Sequence, residues 1–403
     1  MSRPLLRFQP GHEVHLLQGS HEFFPALCRA IAAATHRVWL ETYIFDLEGQ
    51  AQTVAEALVR AARRGLQVRL LVDGVGTGAL PEPWAGRFRD AGVVCRIYSP
   101  LGPLGWLDPT RWRRLHRKLC VVDGEWLFCG GINIVDDWHD PVHGALAQPR
   151  FDLALSARGP IVAEGAQTMG QLWWRLQLSQ AARERRLPAV LEAWRQRRAT
   201  ASAAWEAATP GRGVKAALAL RDNLHHRSRI EKAYLRAIGT AREEVLIANA
   251  YFLPGRRLRR ALVLAARRGV KVRLLLQGRY ESFMQFHAAR PVYGALLDAG
   301  VEIHEYAPSF LHAKVAVVDR HWSTVGSSNL DPLSLLLARE ANVVVEDRAF
   351  AERLRRPLLQ AMAQAGRPLE AEALRRRPWS QRLLDRLAFA LMRLALLLNR
   401  KHY

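Results

Sequence analysis

Apolar residues recur along the chain in short runs bounded by basic turns and glycines, and the same succession occurs twice. Residues 61–74 read AARRGLQVRLLVDG and residues 265–278 read AARRGVKVRLLLQG. Each predicts a helix with a basic last turn, a glycine at its end (Gly65 or Gly269), and then a buried strand. AGVVCRIY (91–98) is answered by AGVEIHEY (299–306), again a glycine turn into a short strand. A third matching block follows in each half, HRKLCVVDGEWLFCGGIN (116–133) and HAKVAVVDRHWSTVGSSN (312–329). Helices alternating with apolar strands in both copies predict two α/β lobes with largely buried sheets. The join falls near Pro210-Gly211. It follows a Trp-rich helical stretch (Trp173, Trp174, Trp194, Trp205) and the small-residue run ATASAAWEAATPGRG, and precedes a new start at Val214. The tryptophans are expected to pack a helix against the other lobe rather than to cage a ligand. The expected domains are residues 1–209, 210–370 and a terminal segment, 371–403.

That terminal segment has a pattern of its own. From Pro378 it reads PWSQRLLDRLAFALMRLALLLNRKHY, with no glycine or further proline to stop a helix. Arg382, Arg386, Arg393 and Arg400 fall near one face, while Leu383, Leu384, Leu387, Leu391, Leu394 and Leu398 fill much of the opposite side. Trp379 and Tyr403 stand at the ends. An amphipathic helix lying in the plane of an anionic membrane is expected, and a terminal helix packed on the protein's own core is the competing reading. No run reaches the roughly 18 apolar residues needed to span a bilayer; Leu387 to Leu398 is broken by Arg393. The opening MSRPLLRFQPGHEV has no apolar leader core, so no secretory signal is expected.

Charge narrows the partners. The 403 residues carry 59 Lys plus Arg against 37 Asp plus Glu, a formal +22, which calls for nucleic acid or an anionic membrane surface nearby. Cys28, Cys95, Cys120 and Cys129 lack CxxC spacing, which argues against a disulfide framework or a zinc ribbon and for buried reduced thiols. There is no GxxxxGK[ST] loop and no GxGxxG turn after a strand, so no nucleotide cofactor is expected.

The candidate chemistry lies in the third blocks. His, Lys, Asp, Gly and Asn recur at identical spacing: His116, Lys118, Asp123, Gly130 and Asn133 are answered by His312, Lys314, Asp319, Gly326 and Asn329. On a strand, residues two apart leave the same face, so His116 and Lys118 point together, Arg117 points away, and His312 and Lys314 repeat the arrangement. If the lobes pack about a pseudo-twofold axis, one site receives two imidazoles and two ammonium groups. Such a site suits phosphoryl chemistry without a metal. One imidazole attacks phosphorus, the other protonates the leaving oxygen, and the lysines with the Asn133 and Asn329 amides hold the phosphate oxygens. Asp123 and Asp319 complete the motif as catalytic candidates, but their turn setting points to holding geometry rather than exchanging protons. Gly130, Gly131 and Gly326 are expected to let backbone approach the phosphate.

The paired HxKxxxxD motifs with GGxN and GSSN resemble the phospholipase D superfamily. IANAYFLPG (247–255), VGSSNLDPLS (325–334) and EANVVVEDRAF (340–350) narrow the resemblance to its bacterial cardiolipin synthase branch, of the B type. The resemblance runs from about residue 10 to 350 and implies two α/β/α lobes with a single site at their interface and a phosphohistidine intermediate. By the same resemblance His116 is the nucleophile and His312 the general acid, which the residues alone do not distinguish. It further implies a carboxylate beyond each motif to orient that motif's histidine. Asp152, 36 residues past His116, and Glu340, 28 past His312, are the candidates, and a salt bridge to the preceding Arg150 or Arg339 is the rival reading.

Two substrate classes suit a basic phosphodiester site. The first lobe carries an insertion, SPLGPLGWLDPTRWRRL (99–115), where the second has only APSFL (307–311). Its Trp106, Trp112, Arg111, Arg113 and Arg114 suit a membrane-interface loop at the mouth of the site. With the terminal segment and the resemblance, this favours anionic phospholipid, specifically phosphatidylglycerol, over nucleic acid. The expected protein is peripheral on the cytoplasmic face of the cell membrane, with no metal, no cofactor and no obligate nucleic acid. The reaction implied is transfer of a phosphatidyl group between phosphatidylglycerols. A nuclease or another phospholipase D-type phosphodiesterase is the alternative. A non-catalytic scaffold would be free to lose any of the four His and Lys residues, and all four are intact.

Overall fold

The computed structural model describes the chain except residues 1–5, 103–104, 106–108, 141–142, 184–212, 223–227, 281–282, 332–337 and 401–403. Its main elements form two matching series. The first runs β1 (Gln9–Gln18), α1 (Gly19–Ala33), β2 (Arg37–Thr42), α2 (Ala51–Arg63), β3 (Gln67–Asp73), α3 (Trp84–Ala91), β4 (Val94–Tyr98), β5 (Lys118–Val122), β6 (Trp126–Gly130), β7 (Leu153–Arg158) and α4 (Ile161–Arg183). The second runs β8 (Val214–Arg221), α5 (Arg229–Thr240), β9 (Glu244–Asn249), α6 (Arg256–Arg267), β10 (Lys271–Gln277), α7 (Phe283–Leu297), β11 (Glu302–Tyr306), β12 (Lys314–Val318), β13 (Trp322–Gly326), β14 (Ala338–Glu346) and α8 (Arg348–Gln364). Two helices close the chain, α9 (Ala371–Arg375) and α10 (Trp379–Arg400).

These strands join one sheet in the order β4-β3-β2-β5-β6-β7-β1-β8-β14-β13-β12-β9-β10-β11. The order reads alike from either end, which is the pseudo-twofold symmetry expected of the repeat. In each lobe the outer three strands are parallel, joined by helices, and the rest are antiparallel. The seam is the antiparallel contact of β1 with β8, where Gln9 faces Ala216 and His12 faces Val214. The expected glycines, Gly65 and Gly269, follow their helices with φ of 89° and 88°. The N–H of the next residue reaches back to Ala61 or Ala265, which ends the helix and turns the chain into the strand.

Three cores result. Helices α1 to α3 bury Leu27, Leu58 and Phe88 on the first lobe, and α5 to α7 bury Tyr234, Leu262 and Leu296 on the second. Between the lobes, Leu119, Val121, Leu127 and Cys129 pack with Val315, Val317, Val325 and Val343. Each such apolar side chain contributes about 1.5–3 kcal/mol when fully buried, so the lobes form one body.

Some expectations need correcting. α4 does contact β8 of the other lobe, as expected, but its Trp173 and Trp174 pack on their own lobe: Arg69 and Arg96 stack over Trp173, and Arg69 also over Trp174. The period-two pattern of β3 and β4 places those arginines on the sheet face that the helix covers, so the tryptophans follow them. Trp194, Trp205 and the join at Pro210-Gly211 lie outside the described residues, while β8 does begin at Val214. Cys120 and Cys129 are buried, but Cys95 is exposed, because β4 is the sheet edge.

The terminal helix is amphipathic and docks on the protein by part of its surface. Ala388, Met392 and Asp385 of α10 are buried against the second lobe, where Asp385 meets His287 Nδ1 at 2.6 Å and accepts from Arg377 at 2.9 Å. Trp379, Leu383, Leu387, Leu391 and Leu394 remain at least 49% exposed. The helix docks on the protein by a narrow side and leaves a leucine stripe in solvent.

Asp123 and Asp319 occupy matching hairpin turns at the ends of β5 and β12. Asp123 (φ 51°) and Gly124 (φ 77°) form one, Asp319 (φ 49°) and Arg320 (φ 51°) the other, with two left-handed residues each, as a tight hairpin requires. The Asp123 carboxylate accepts from the N–H groups of Thr35, His36 and Arg37 at 2.6, 3.0 and 2.6 Å. Asp319 does the same for Arg242, Glu243 and Glu244 at 2.8, 2.9 and 3.0 Å. Each aspartate therefore ties its hairpin to the start of the neighbouring strand, β2 or β9. Burial alone would raise the Asp123 carboxyl, but the Thr35, Arg37 and His36 donors outweigh it and hold it below the ordinary aspartate value. The stabilisation from this carboxylate is thus present above its unfolded value, roughly pH 3.9, and is lost as pH falls through the lower folded value. Asp123→Ala should lower stability near pH 7 by about 1–3 kcal/mol, read as a fall in thermal midpoint that shrinks on acidification.

Candidate active site

Each motif strand enters the centre of the molecule alongside a strand from the opposite lobe. The His116 N–H donates to the Arg339 carbonyl at 3.0 Å, and the His312 N–H donates to the Phe151 carbonyl at 2.8 Å. Residues 114–115 pair in parallel with 338–339, and Phe151 bridges Leu311 in parallel. In both cases the residue after the accepting carbonyl is a carboxylate. Glu340 therefore meets His116 Nδ1 at 3.0 Å, and Asp152 meets His312 Nδ1 at 2.6 Å.

The structure thus brings Asp152 and Glu340 to the histidines but crosses the expected pairing. Asp152 was expected to orient His116 and Glu340 to orient His312; each instead serves the histidine of the other lobe. The sheet geometry gives the reason: β7 and β14 start at the interface, so Asp152 just before β7 and Glu340 near the start of β14 face across it. The rival salt bridges do not form, since Arg150 pairs with Asp140 at 2.6 Å and Arg339 Nε donates to Tyr98 at 3.2 Å.

The carboxylate on Nδ1 fixes the tautomer with the proton on that nitrogen and leaves Nε2 as the reactive atom. Burial pushes both imidazoles toward the neutral form. For His116, Glu340 opposes this while Lys118 adds to it; for His312, Lys314 adds to it and Asp152 opposes. Burial would raise both carboxyls, but the histidines and lysines around them hold Glu340 and Asp152 below the ordinary range. Burial also brings Lys118 down to about 8, against the pull of Glu340, Asp152 and Asp73. The lysines are buried, and each Nζ donates to the carbonyl of its own motif histidine, at 2.7 Å for Lys118 to His116 and likewise for Lys314 to His312.

The asparagines differ. Asn133 Oδ1 accepts from the Ile44 N–H at 3.1 Å. Asn329 is buried, and its Oδ1 has no hydrogen-bond partner among the described residues. Asp123 and Asp319 lie at the far ends of their five-residue strands, away from the histidines, so neither reaches the reacting atoms. The glycines also serve other neighbours than expected. A Cβ on Gly131 would lie 2.2 Å from Asp152 Oδ1, one on Gly130 2.4 Å from Ala154, and one on Gly326 2.3 Å from the Asn342 side chain. They admit the adjoining strand, and Gly131 in particular admits the carboxylate of His312.

Several contributors were not singled out in the sequence. The Tyr43 ring lies 5.0 Å from the His116 ring and 5.5 Å from Lys118 Nζ. Asp73, fully buried at the end of β3, accepts from the Leu115 N–H at 2.7 Å and from Arg114 at 3.0 Å, clamping the approach to His116. Gln277 repeats this for Leu311 at 3.3 Å. The signal was available: a polar residue closes both repeated strands, LLVDG and LLLQG. Arg114 is therefore engaged in the fold and not offered to a membrane, whereas Trp112 is exposed and Trp106 lies outside the described residues. Arg117 does point away, onto Glu41 at 3.0 Å. Among the described residues no three His, Cys, Asp or Glu side chains gather as metal ligands.

Comparisons with known proteins point to one family. A family model described as "Cardiolipin synthase, PLD-like domain" matches residues 27–139 and 234–362. The chain is 36% identical over 395 residues to cardiolipin synthase B of Salmonella typhi, covering 96% of this chain and 89% of that protein. It is 30% identical over 384 residues to cardiolipin synthase A of Cronobacter sakazakii, covering 94% and 75%. Among solved structures, phosphatidylserine synthase of Haemophilus influenzae Rd KW20 superposes with a TM-score of 0.65 at 13% identity, covering 97% of this chain and 96% of that one, which speaks to the fold.

Crossed pairing is testable without substrate. In nitrogen-15 histidine spectra, Glu340→Gln should release the fixed Nδ1–H tautomer of His116 and leave His312 unchanged, and Asp152→Asn should do the reverse. Pairing within each lobe would exchange the two outcomes.

Proposed function

The chain belongs to the cardiolipin synthase family of phospholipase D-like enzymes, and on that premise we propose that it transfers a phosphatidyl group from one phosphatidylglycerol to another. The observation that carries the reading is the pair of buried carboxylate–histidine–lysine sets that meet between the lobes. Nε2 of His116 attacks phosphorus, and the glycerol oxygen leaves with a proton from His312 Nε2. The phosphatidyl group is then held on His116 through a P–N bond. The terminal hydroxyl of a second phosphatidylglycerol gives its proton to His312 and attacks phosphorus, the P–N bond breaks, and cardiolipin departs. One phosphodiester replaces another, so no nucleotide is consumed. Lys118 and Lys314, with the amides of Asn133 and Asn329, offset charge on the phosphate oxygens. Glu340 and Asp152 hold the two imidazoles and stabilise each in its charged form.

The lipid surface enters through α10. Its exposed Leu383, Leu387, Leu391 and Leu394, bordered by Arg382, Arg386 and Arg393, suit insertion at an anionic interface, each basic residue there being worth about 1 kcal/mol. No helix among the described residues is long and apolar enough to cross a membrane. The protein is thus read as peripheral, on the cytoplasmic face, with phosphatidylglycerol as both donor and acceptor.

Purified protein given labelled phosphatidylglycerol should release glycerol and form cardiolipin, with activity retained in excess EDTA because the lysines supply the positive charge. Phosphatidic acid as the sole product would favour a hydrolase, and activity lost to EDTA and restored by a divalent ion would contradict the mechanism. In His312→Ala a phosphatidyl adduct should accumulate on His116, as seen by mass spectrometry; an adduct on His312 in His116→Ala would reverse the roles. Replacing Leu383, Leu387, Leu391 and Leu394 by serine should abolish co-sedimentation with phosphatidylglycerol vesicles at unchanged thermal midpoint. This is cleaner than truncation, which would strip Ala388 and Met392 from the core. Undiminished binding would exclude the stripe as the anchor.

A further inference from the structure

The pseudo-twofold axis relates Arg221 to Gly19. Arg221 faces Glu340 directly across the pairing of β8 with β14. The register of β1 with β7 carries Gly19 to the position opposite Asp152, where its N–H donates to the Asp152 carbonyl at 3.0 Å. The two positions differ in charge. Arg221 is 2% exposed; its Nη1 lies 3.5 Å from Ser328 Oγ, and Nε and Nη2 have no hydrogen-bond partner among the described residues. No side chain leaves Gly19, where a Cβ would lie 2.8 Å from both Asp137 Oδ2 and His21 Nδ1. Asp137, 3% exposed, fills that space, with its Oδ2 accepting from the Ser20 N–H. A buried cation stands beside the carboxylate that holds His116, and a buried carboxylate beside the one that holds His312.

The remaining groups around the two carboxylates match more closely. Glu340 faces His116, Lys118 and the Ser327 hydroxyl, while Asp331 and Glu231 lie near Arg221. Asp152 faces His312, Lys314 and Lys118, while Arg150 lies near Asp137. We propose that Arg221 and Asp137 are positioning residues that assign different roles to two otherwise equivalent histidines. Arg221 weakens the hold of Glu340 on a second imidazole proton, which keeps His116 neutral and nucleophilic. Burial and then Lys314 lower His312 to about 3; Asp137, adding negative charge behind Asp152, works against this and favours the protonated His312 that donates to the leaving oxygen. Burial, with the Asp152 charge adding to it, raises Asp137 to about 6, so it is anionic above that pH. Arg221, lowered by burial to about 10, stays cationic at neutral pH.

This inference rests on the proposed role of His116 as nucleophile, and two readouts separate it from the choice of substrate. The first is the pH profile of single-turnover glycerol release from phosphatidylglycerol, whose acid limb reports neutral His116 and whose alkaline limb reports protonated His312. Arg221→Met should move the acid limb up by about one unit with the alkaline limb fixed, and Arg221→Lys should restore it. Asp137→Asn should move the alkaline limb down with the acid limb fixed. The second readout needs no substrate: in histidine spectra, His116 should take up its proton at higher pH in Arg221→Met than in wild type. Unmoved limbs, equal movement of both limbs in either variant, or Arg221→Lys behaving as Arg221→Met would overturn the assignment. An unchanged His116 midpoint would overturn it whatever lipid the protein uses. If Arg221→Met does not fold, the Asp137→Asn profile decides alone.

Discussion

The hydrogen bond between each motif histidine and a carboxylate of the opposite lobe is the constraint on which the rest of the site depends. His116 and Glu340 are 224 residues apart, and His312 and Asp152 are 160 apart. Only a docked pair of lobes brings them together. The continuous sheet across β1 and β8, the apolar core between the lobes, and the two reciprocal backbone bonds onto Arg339 and Phe151 all fix that docking. Neither half holds its motif histidine together with the carboxylate that orients it.

The network is costly to bury. Lys118, Lys314, Asp152 and Glu340 are all almost fully out of solvent, and desolvation of each is offset only by its neighbours. Removing one member leaves a charge uncompensated, which costs stability as well as function. Asp123 and Asp319 bear a different load. They tie the distal hairpins to β2 and β9 and set the strands that deliver the histidines, without touching the chemistry.

Much of this was legible in the sequence because it is local. The repeat, the α/β alternation, the shared face of His116 and Lys118, the opposite face of Arg117 and the turn character of Asp123 follow from spacing of a few residues. The crossed pairing was not, since a linear chain gives no sign of which lobe a strand end will face. The same holds for Gly131, whose missing side chain admits Asp152, and for Arg221 and Asp137, whose relation appears only when the lobes are superposed. The terminal helix was legible as amphipathic. Its divided surface, buried at Ala388 and Met392 yet open at Leu387 and Leu391, required the docking surface on α7 to be seen.

A crystal structure of the full chain with vanadate bound tests the central claim most directly. Crossed pairing requires vanadium between the two Nε2 atoms, with Glu340 on Nδ1 of His116 and Asp152 on Nδ1 of His312. Vanadate held by the residues of one lobe alone, or Asp152 on His116, would contradict it.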